Sequence, residues 1–228
     1  MSEIKFSTRN ITKFFRTIDP ATVAEGRQWY PRARNFAYEL RRSEPDEYDQ
    51  EFVKAAAVIA VLSPQLNWDR NKELALLAYG SWTAIQTYDP GMVQERVDSW
   101  PGLRENARKA FRILDGEEPN DVVGGPKVRQ FWFTIMDPTD PRAVVVDRHA
   151  FSVAAGRALT DAELGKSTGG QGRYDAVSEM YRSAAKILGA ELGSPITPAE
   201  VQAITWTHWR RTHAKNAKAT RRNELKEI

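Results

Sequence analysis

The chain has 228 residues, 33 Lys plus Arg against 30 Asp plus Glu, and no cysteine. That length suits one large domain or two small lobes whose core folds without staples, and the missing thiols exclude disulfide frameworks, thiolate zinc sites and iron–sulfur clusters. A net charge of +3 is too small to announce a nucleic-acid binder, so the distribution of charge matters more than its sum.

No amino-terminal export pattern is visible, and no segment approaches the ~18 uninterrupted apolar residues of a membrane span. The expected setting is therefore cytoplasmic, in a bacterium or a phage-infected cell, with no membrane partner. Three histidines are few for a histidine-built metal centre, and neither a metal nor a cofactor is expected.

In chain order, Asp19-Pro20 pairs a cap with a proline at the first helical position. It predicts a helix through residue 29 that kinks at Pro31 and resumes to about residue 42. Residues 52 to 62 are apolar nearly all round, which predicts a helix buried on most sides and ended by Ser63-Pro64. Residues 69 to 79 form another, with Leu74, Leu77 and Ala78 on one side and Gly80 as its stop. Residues 83 to 101 are less regular, broken at Asp89-Pro90-Gly91 and Trp100-Pro101-Gly102 before helix resumes over 103 to 114.

A loop at 115 to 120 leads to a glycine turn at Gly124-Gly125 and a helix carrying Val128, Phe131, Trp132 and Ile135. A rigid loop at 137 to 141 and an extended piece at 144 to 146 precede a helix beginning near Asp147. Residues 166 to 172 read as a flexible excursion. Helices at about 174 to 188 and from 197 onward follow, the last opened by the capping box Thr197-Pro198-Ala199-Glu200.

About eight helices, without a convincing sheet, repeat or linker, predict an all-α bundle forming a single domain over 1 to 228. Within it the order of helices suggests a middle lobe of about 50 to 145 and a second lobe of the first helices plus about 146 to 205, followed by a basic helix or tail at 206 to 228.

The most informative stretch is Ala143-Val144-Val145-Val146-Asp147-Arg148-His149-Ala150-Phe151. Its apolar run delivers a carboxylate to a helix start, where Asp147 can cap free N–H groups or face a developing positive charge. These readings stand even on the residues alone. Ser63-Pro64-Gln65-Leu66-Asn67-Trp68 follows the most buried helix. Gln65 is suited to fill a vacancy in a base stack and Trp68 to stack or wedge, although a turn capped by Asn67 with Trp68 packed inward is the plainer account.

Gly124 and Gly125 let a backbone approach a phosphate closely, Pro126 removes one donor, and Lys127 is a surface lysine unless a site activates it. Arg129 and Arg148 are either backbone-holding cations or surface ion pairs. Near the carboxy end Arg210, Arg211, Lys215, Lys218, Arg221 and Arg222 run with no acid between Glu200 and Glu224, which suits phosphate tracking or a solvated terminal helix.

Taken in order, these motifs resemble the helix-hairpin-helix DNA glycosylase superfamily, of the endonuclease III type without the iron–sulfur cluster. The resemblance spans roughly residues 52 to 157. It matches Gln65 to a glutamine inserted into DNA, Gly124 and Gly125 to a phosphate-binding hairpin, and Lys127 to the Schiff-base lysine of members with lyase activity. Asp147 matches the catalytic aspartate and His149 the histidine two residues beyond it.

The hairpin here, Val123-Gly124-Gly125-Pro126, departs from two glycines separated by an aliphatic residue. The resemblance implies a base-flipping enzyme that cleaves an N-glycosidic bond in double-stranded DNA without a cofactor. By that match Asp147 and Lys127 would be its catalytic residues and Gln65, Gly124, Gly125 and His149 would meet DNA, while Asn67, Trp68, Arg129, Arg148, Arg210 and Arg211 are DNA-contacting candidates on their own chemistry. The scaffold also resembles viral enzymes that build hypermodified pyrimidines, the glutamyl or putrescinyl thymine pyrophosphorylases, where a flipped base is substituted. A non-catalytic DNA-binding module and a small-molecule pocket lined by Trp29, Tyr30 and Trp132 are the remaining readings.

Overall fold

The computed structural model describes residues 4–41, 49–84, 90–168 and 170–224, the side chains of 90, 166–168 and 214–224 excepted. The described residues are all helical or loop, with no strand, and they form the expected all-α fold. They divide into two compact units, 1–31 with 138–228 and 32–137. The boundaries thus move from the expected lobes: residues 32 to 49 group with the middle helices, and 138 to 145 with the terminal ones.

The first unit holds α1 (Thr8–Phe15), α2 (Pro20–Arg27) and the start of α3 (Trp29–Leu40). It also holds α10 (Arg148–Ala155), α11 (Asp161–Thr168), α12 (Gln171–Leu192) and α13 (Pro198–Glu224). Its core is built from Ile11, Phe15, Phe151, Tyr181, Leu188 and Ile204. Side-chain caps fix the entries: Ser7 receives the Asn10 N–H, and Asp19 receives that of Thr22. Thr197 and Glu200 exchange bonds as the expected capping box, at 2.7 and 3.1 Å. Gly26 lets α2 lie against α13, since a Cβ there would sit 2.5 Å from the Ile204 Cα.

The second unit contains the remainder of α3, α4 (Gln50–Leu62), α5 (Trp68–Ala84), α6 (Pro90–Asp98), α7 (Arg104–Leu114), α8 (Pro119–Val122) and α9 (Pro126–Met136). Helix α4 is its centre, buried from Ala55 through Leu62 as its uniformly apolar surface requires, with α5, α7 and α9 packed around it. The Trp132 indole donates to the Val53 carbonyl at 3.3 Å and the Asn71 amide to the Ile59 carbonyl at 3.1 Å, tying α9 and α5 to α4.

Several expected boundaries are corrected. Pro31 does not interrupt a single helix; the break falls at Gln28, which caps α2, and the proline sits in the first turn of α3, where its missing N–H costs nothing. Gly80 does not stop α5, because Ala78, Tyr79 and Ser81 continue the buried face past it; a mid-helix glycine costs about 1 kcal/mol but breaks no bond. Helix α6 replaces much of the irregular stretch, and Asp89 of the expected turn lies outside the described residues.

The expected excursion is largely helical: α11 runs into it as far as Thr168, and α12 begins within it at Gln171. Thr160 and Glu163 form a capping box at the start of α11, with bonds of 2.9 and 3.3 Å. The basic carboxy segment is no separate tail by its backbone, since α13 runs unbroken from Pro198 to Glu224. No described helix is long and apolar enough to cross a membrane.

Candidate active site

Asp147 ends the buried segment Ala143 to Val146 and begins α10. That segment is pinned by Tyr174, whose hydroxyl accepts from the Val146 N–H at 3.0 Å and donates to the Val144 carbonyl at 3.2 Å. The Asp147 carboxylate is half-buried, and its Oδ1 accepts from the backbone N–H groups of His149 (3.0 Å) and Ala150 (2.8 Å). This is the helix cap foreseen from sequence. Its Oδ2 accepts from the Trp206 indole N–H at 3.0 Å, across 59 positions of chain.

Trp206 is itself held on two sides. The half-buried Trp29 ring meets it edge-on at 5.7 Å, and the Arg210 guanidinium lies 4.6 Å from its ring centroid. One turn before Trp206, the Gln202 Oε1 accepts from the buried Tyr30 hydroxyl at 2.7 Å. Gln202, Trp206 and Arg210 are four residues apart, so they share one face of α13.

Three buried phenols lie within electrostatic reach of the carboxylate. Burial drives Tyr30 and Tyr181 far above the ordinary phenol range, and the negative charge of Asp147 pushes each further. Tyr174 follows the same pattern, with the Val146 N–H opposing it. All three are therefore neutral at physiological pH. Burial lowers the His149 imidazole, with the charge of Asp147 opposing and those of Arg148, Arg210 and His213 adding to the depression.

The other basic candidates of this unit differ in what they touch. Arg148 is exposed and paired with Asp161 at 3.1 Å, the surface ion pair rather than an unpaired phosphate contact. Arg211 is turned toward α2, bonded to the Thr22 hydroxyl at 3.1 Å and to the Glu25 carboxylate. Arg210 alone of the pair lies beside the Asp147 cluster. Lys215, Lys218, Arg221 and Arg222 ride on α13, and their side chains lie outside the described ones.

In the second unit, Gln65 is exposed at the tip of the α4–α5 turn with φ 65°, a left-handed backbone that a glutamine adopts at a cost. Asn67 caps α5, its Oδ1 accepting from the Arg70 N–H at 2.9 Å. Trp68 is half-buried, edge-on to Phe36 at 5.8 Å with the Lys72 ammonium 5.9 Å from its ring. Gly124 and Gly125 are exposed, and Gly125 at φ 76° needs glycine.

Pro126 opens α9 and Lys127 is exposed in its first turn. The Arg129 guanidinium donates to the carbonyls of Asn120 (3.2 Å) and Val123 (3.1 Å), so it buttresses the glycine turn. Trp132 is 2% exposed and belongs to the core of this unit, which removes it from a pocket lining.

A model for a family of unknown function, DUF7178, matches residues 2–213. The chain belongs to that family. No curated protein and no solved structure matches it.

The sequence singles out Asp147, His149 and Arg210, and names Trp29 and Tyr30 only as lining of a small-molecule pocket; Trp206, Gln202 and Tyr174 are not singled out by it. One signal was available: a polar or aromatic residue at every fourth position of α13, 202, 206 and 210, where the intervening Ala203 and Ile204 are core. It marks a second face of the helix with an occupant of its own.

Proposed function

We propose that the protein is a DNA base-flipping enzyme of the glycosylase type, acting at the N-glycosidic bond of a modified or damaged base with Asp147 as its electrostatic catalyst. One observation carries the reading. Capping α10 requires a single oxygen, yet both oxygens of Asp147 are fixed, Oδ1 by two backbone N–H groups and Oδ2 by the Trp206 indole, in a half-buried setting with neutral phenols within electrostatic reach.

A carboxylate so oriented suits a reaction in which positive charge develops on the sugar. As the glycosidic pair of electrons leaves with the base, the oxocarbenium-like sugar is stabilised by the fixed negative charge, and water adds at C1′. The base must leave the stack first, at a few kcal/mol. The exposed Gln65 and the glycine turn at Gly124 and Gly125 suit stack filling and phosphate contact, by the resemblance noted from sequence.

The test is a nucleoside mass profile of duplex DNA carrying a panel of damaged and modified bases, after incubation with the protein and with Asp147→Asn. Free base and alkali-labile sites from the wild type alone support the proposal. An altered nucleoside in an intact strand would mean substitution at the flipped base instead. DNA binding with neither product would leave a binding module. Borohydride trapping on the same substrates decides whether Lys127 adds a lyase step.

A further inference from the structure

Trp206 makes a contact that packing alone does not require. Its indole body has an edge-on neighbour in Trp29 at 5.7 Å and a cation on its face in Arg210 at 4.6 Å, while its single polar atom is spent on the Asp147 Oδ2 at 3.0 Å. The indole nitrogen is a donor only, so it can hold a carboxylate without ever offering an acceptor that would compete for the same proton. The backbone N–H groups of His149 and Ala150 anchor Oδ1 and leave Oδ2 without a backbone donor, held only as tightly as those two bonds restrict small rotations about Cα–Cβ and Cβ–Cγ. The bond from Trp206 supplies the donor for that second oxygen.

The helix bearing Trp206 is also held where it must be. The Tyr30 hydroxyl bonds Gln202 one turn earlier at 2.7 Å, and Gly26 admits the Ile204 backbone against α2 two residues before Trp206. The adjacent residues Trp29 and Tyr30 thus meet two successive turns of the same α13 face.

We infer that Trp206 is a positioning residue for Asp147, its indole N–H setting the carboxylate plane so that the negative charge faces the sugar of the target nucleotide. The inference rests on the role of Asp147 proposed above. It assigns to α13 a part in the reaction separate from any phosphate contact made by the basic side chains. Electrostatic stabilisation works only when the charged group is already oriented, so the effect of Trp206 falls on recognition of developing positive charge and leaves DNA affinity in general unchanged.

The experiment uses two duplex oligonucleotides that differ in one charge. One carries a cationic pyrrolidine in place of the target sugar, the other a neutral tetrahydrofuran, and both are titrated against the full chain. The ratio of the two affinities measures how well a negative charge is aimed at the sugar. The wild type is expected to prefer the cation, and Asp147→Asn to lose the preference. Trp206→Phe, which keeps an aromatic ring and removes the N–H, is expected to reduce it by about tenfold or more with affinity for the neutral duplex retained. Trp206→His, which can still donate, restores part of it.

An independent check needs no altered tryptophan to fold. In an ¹H–¹⁵N spectrum, Asp147→Asn shifts one indole resonance, and perturbing Arg210 by Arg210→Gln shifts the same one. If the wild type shows no preference for the cation, the reading of Asp147 itself falls. If it shows the preference and Trp206→Phe keeps it in full, or if no indole resonance answers to Asp147→Asn, the assignment of Trp206 alone is overturned.

Discussion

Gly26→Ala tests the packing that brings α13 to Asp147. The added Cβ would lie 2.5 Å from the Ile204 Cα, 2.7 Å from its Cγ1 and 2.9 Å from its N. Favourable carbon contacts lie at about 3.5 Å or more, so α2 and α13 must part by roughly 1 Å. Overpacking of this kind costs about 1–3 kcal/mol, and the upper half applies because two of the three atoms are backbone and cannot rotate away.

Replacing glycine by alanine returns up to about 1 kcal/mol of helix propensity, less here because Gly26 lies in the last turn of α2. The expected net loss is about 1–2 kcal/mol, read as a lower urea midpoint at unchanged slope. Ile204→Ala is expected to leave this coupling largely in place, since it removes the Cγ1 contact and neither backbone one. Because Trp206 lies two residues beyond Ile204, the same substitution should move its indole resonance. A Gly26→Ala protein as stable as the wild type, with that resonance unmoved, would refute the close packing of α2 on α13.

Asp147→Ala is expected to destabilise by about 1–3 kcal/mol in urea, through loss of the α10 cap and an indole N–H left without its acceptor, whereas Asp147→Asn keeps a capping oxygen but sets its NH2 against the indole N–H, and so recovers the part of the loss that belongs to the cap, about 1 kcal/mol. Burial holds the folded His149 below its ordinary 6.5, so the unfolded chain binds more protons as pH falls through that value. Stability is expected to be fully present above it and to decline below, and His149→Gln should flatten that limb of a urea-midpoint profile. Glu163, bonded to Arg157 and to the Thr160 hydroxyl and N–H, is held down to about 2, and Arg157→Ala should raise its NMR titration midpoint. Gln65→Gly should stabilise by about 0.5–1 kcal/mol, because relief of a left-handed backbone exceeds the added chain entropy, while weakening binding to flipped-base DNA.

What was legible in the sequence follows from the range of the forces involved. The Asp147 cap, the capping box at Thr197 and the all-round burial of α4 are set within a few residues, by bonds between neighbours or by one helix's own surface. Gly80 misled because propensity is local and weak, and the buried Ala78, Tyr79 and Ser81 outweighed it. The capping box at Thr160 and Glu163 is equally local, but no obvious apolar run follows it to announce a helix.

The Trp206 contact was beyond such reading. It joins residues 59 apart, and its existence depends on a glycine 178 to 180 residues from Ile204 and Trp206 in the chain, at the far end of an interhelical contact. A tryptophan in a basic helix reads equally as core, as a stacking surface or as a donor to something distant. The distinction appears only when Gly26 has fixed the approach of α2, Tyr30 has fixed the rotation of α13, and the remaining polar atom of the indole is left with Asp147 as its acceptor. The Asp147 cap is a local feature of the sequence, and the indole that meets its second oxygen is a property of packing.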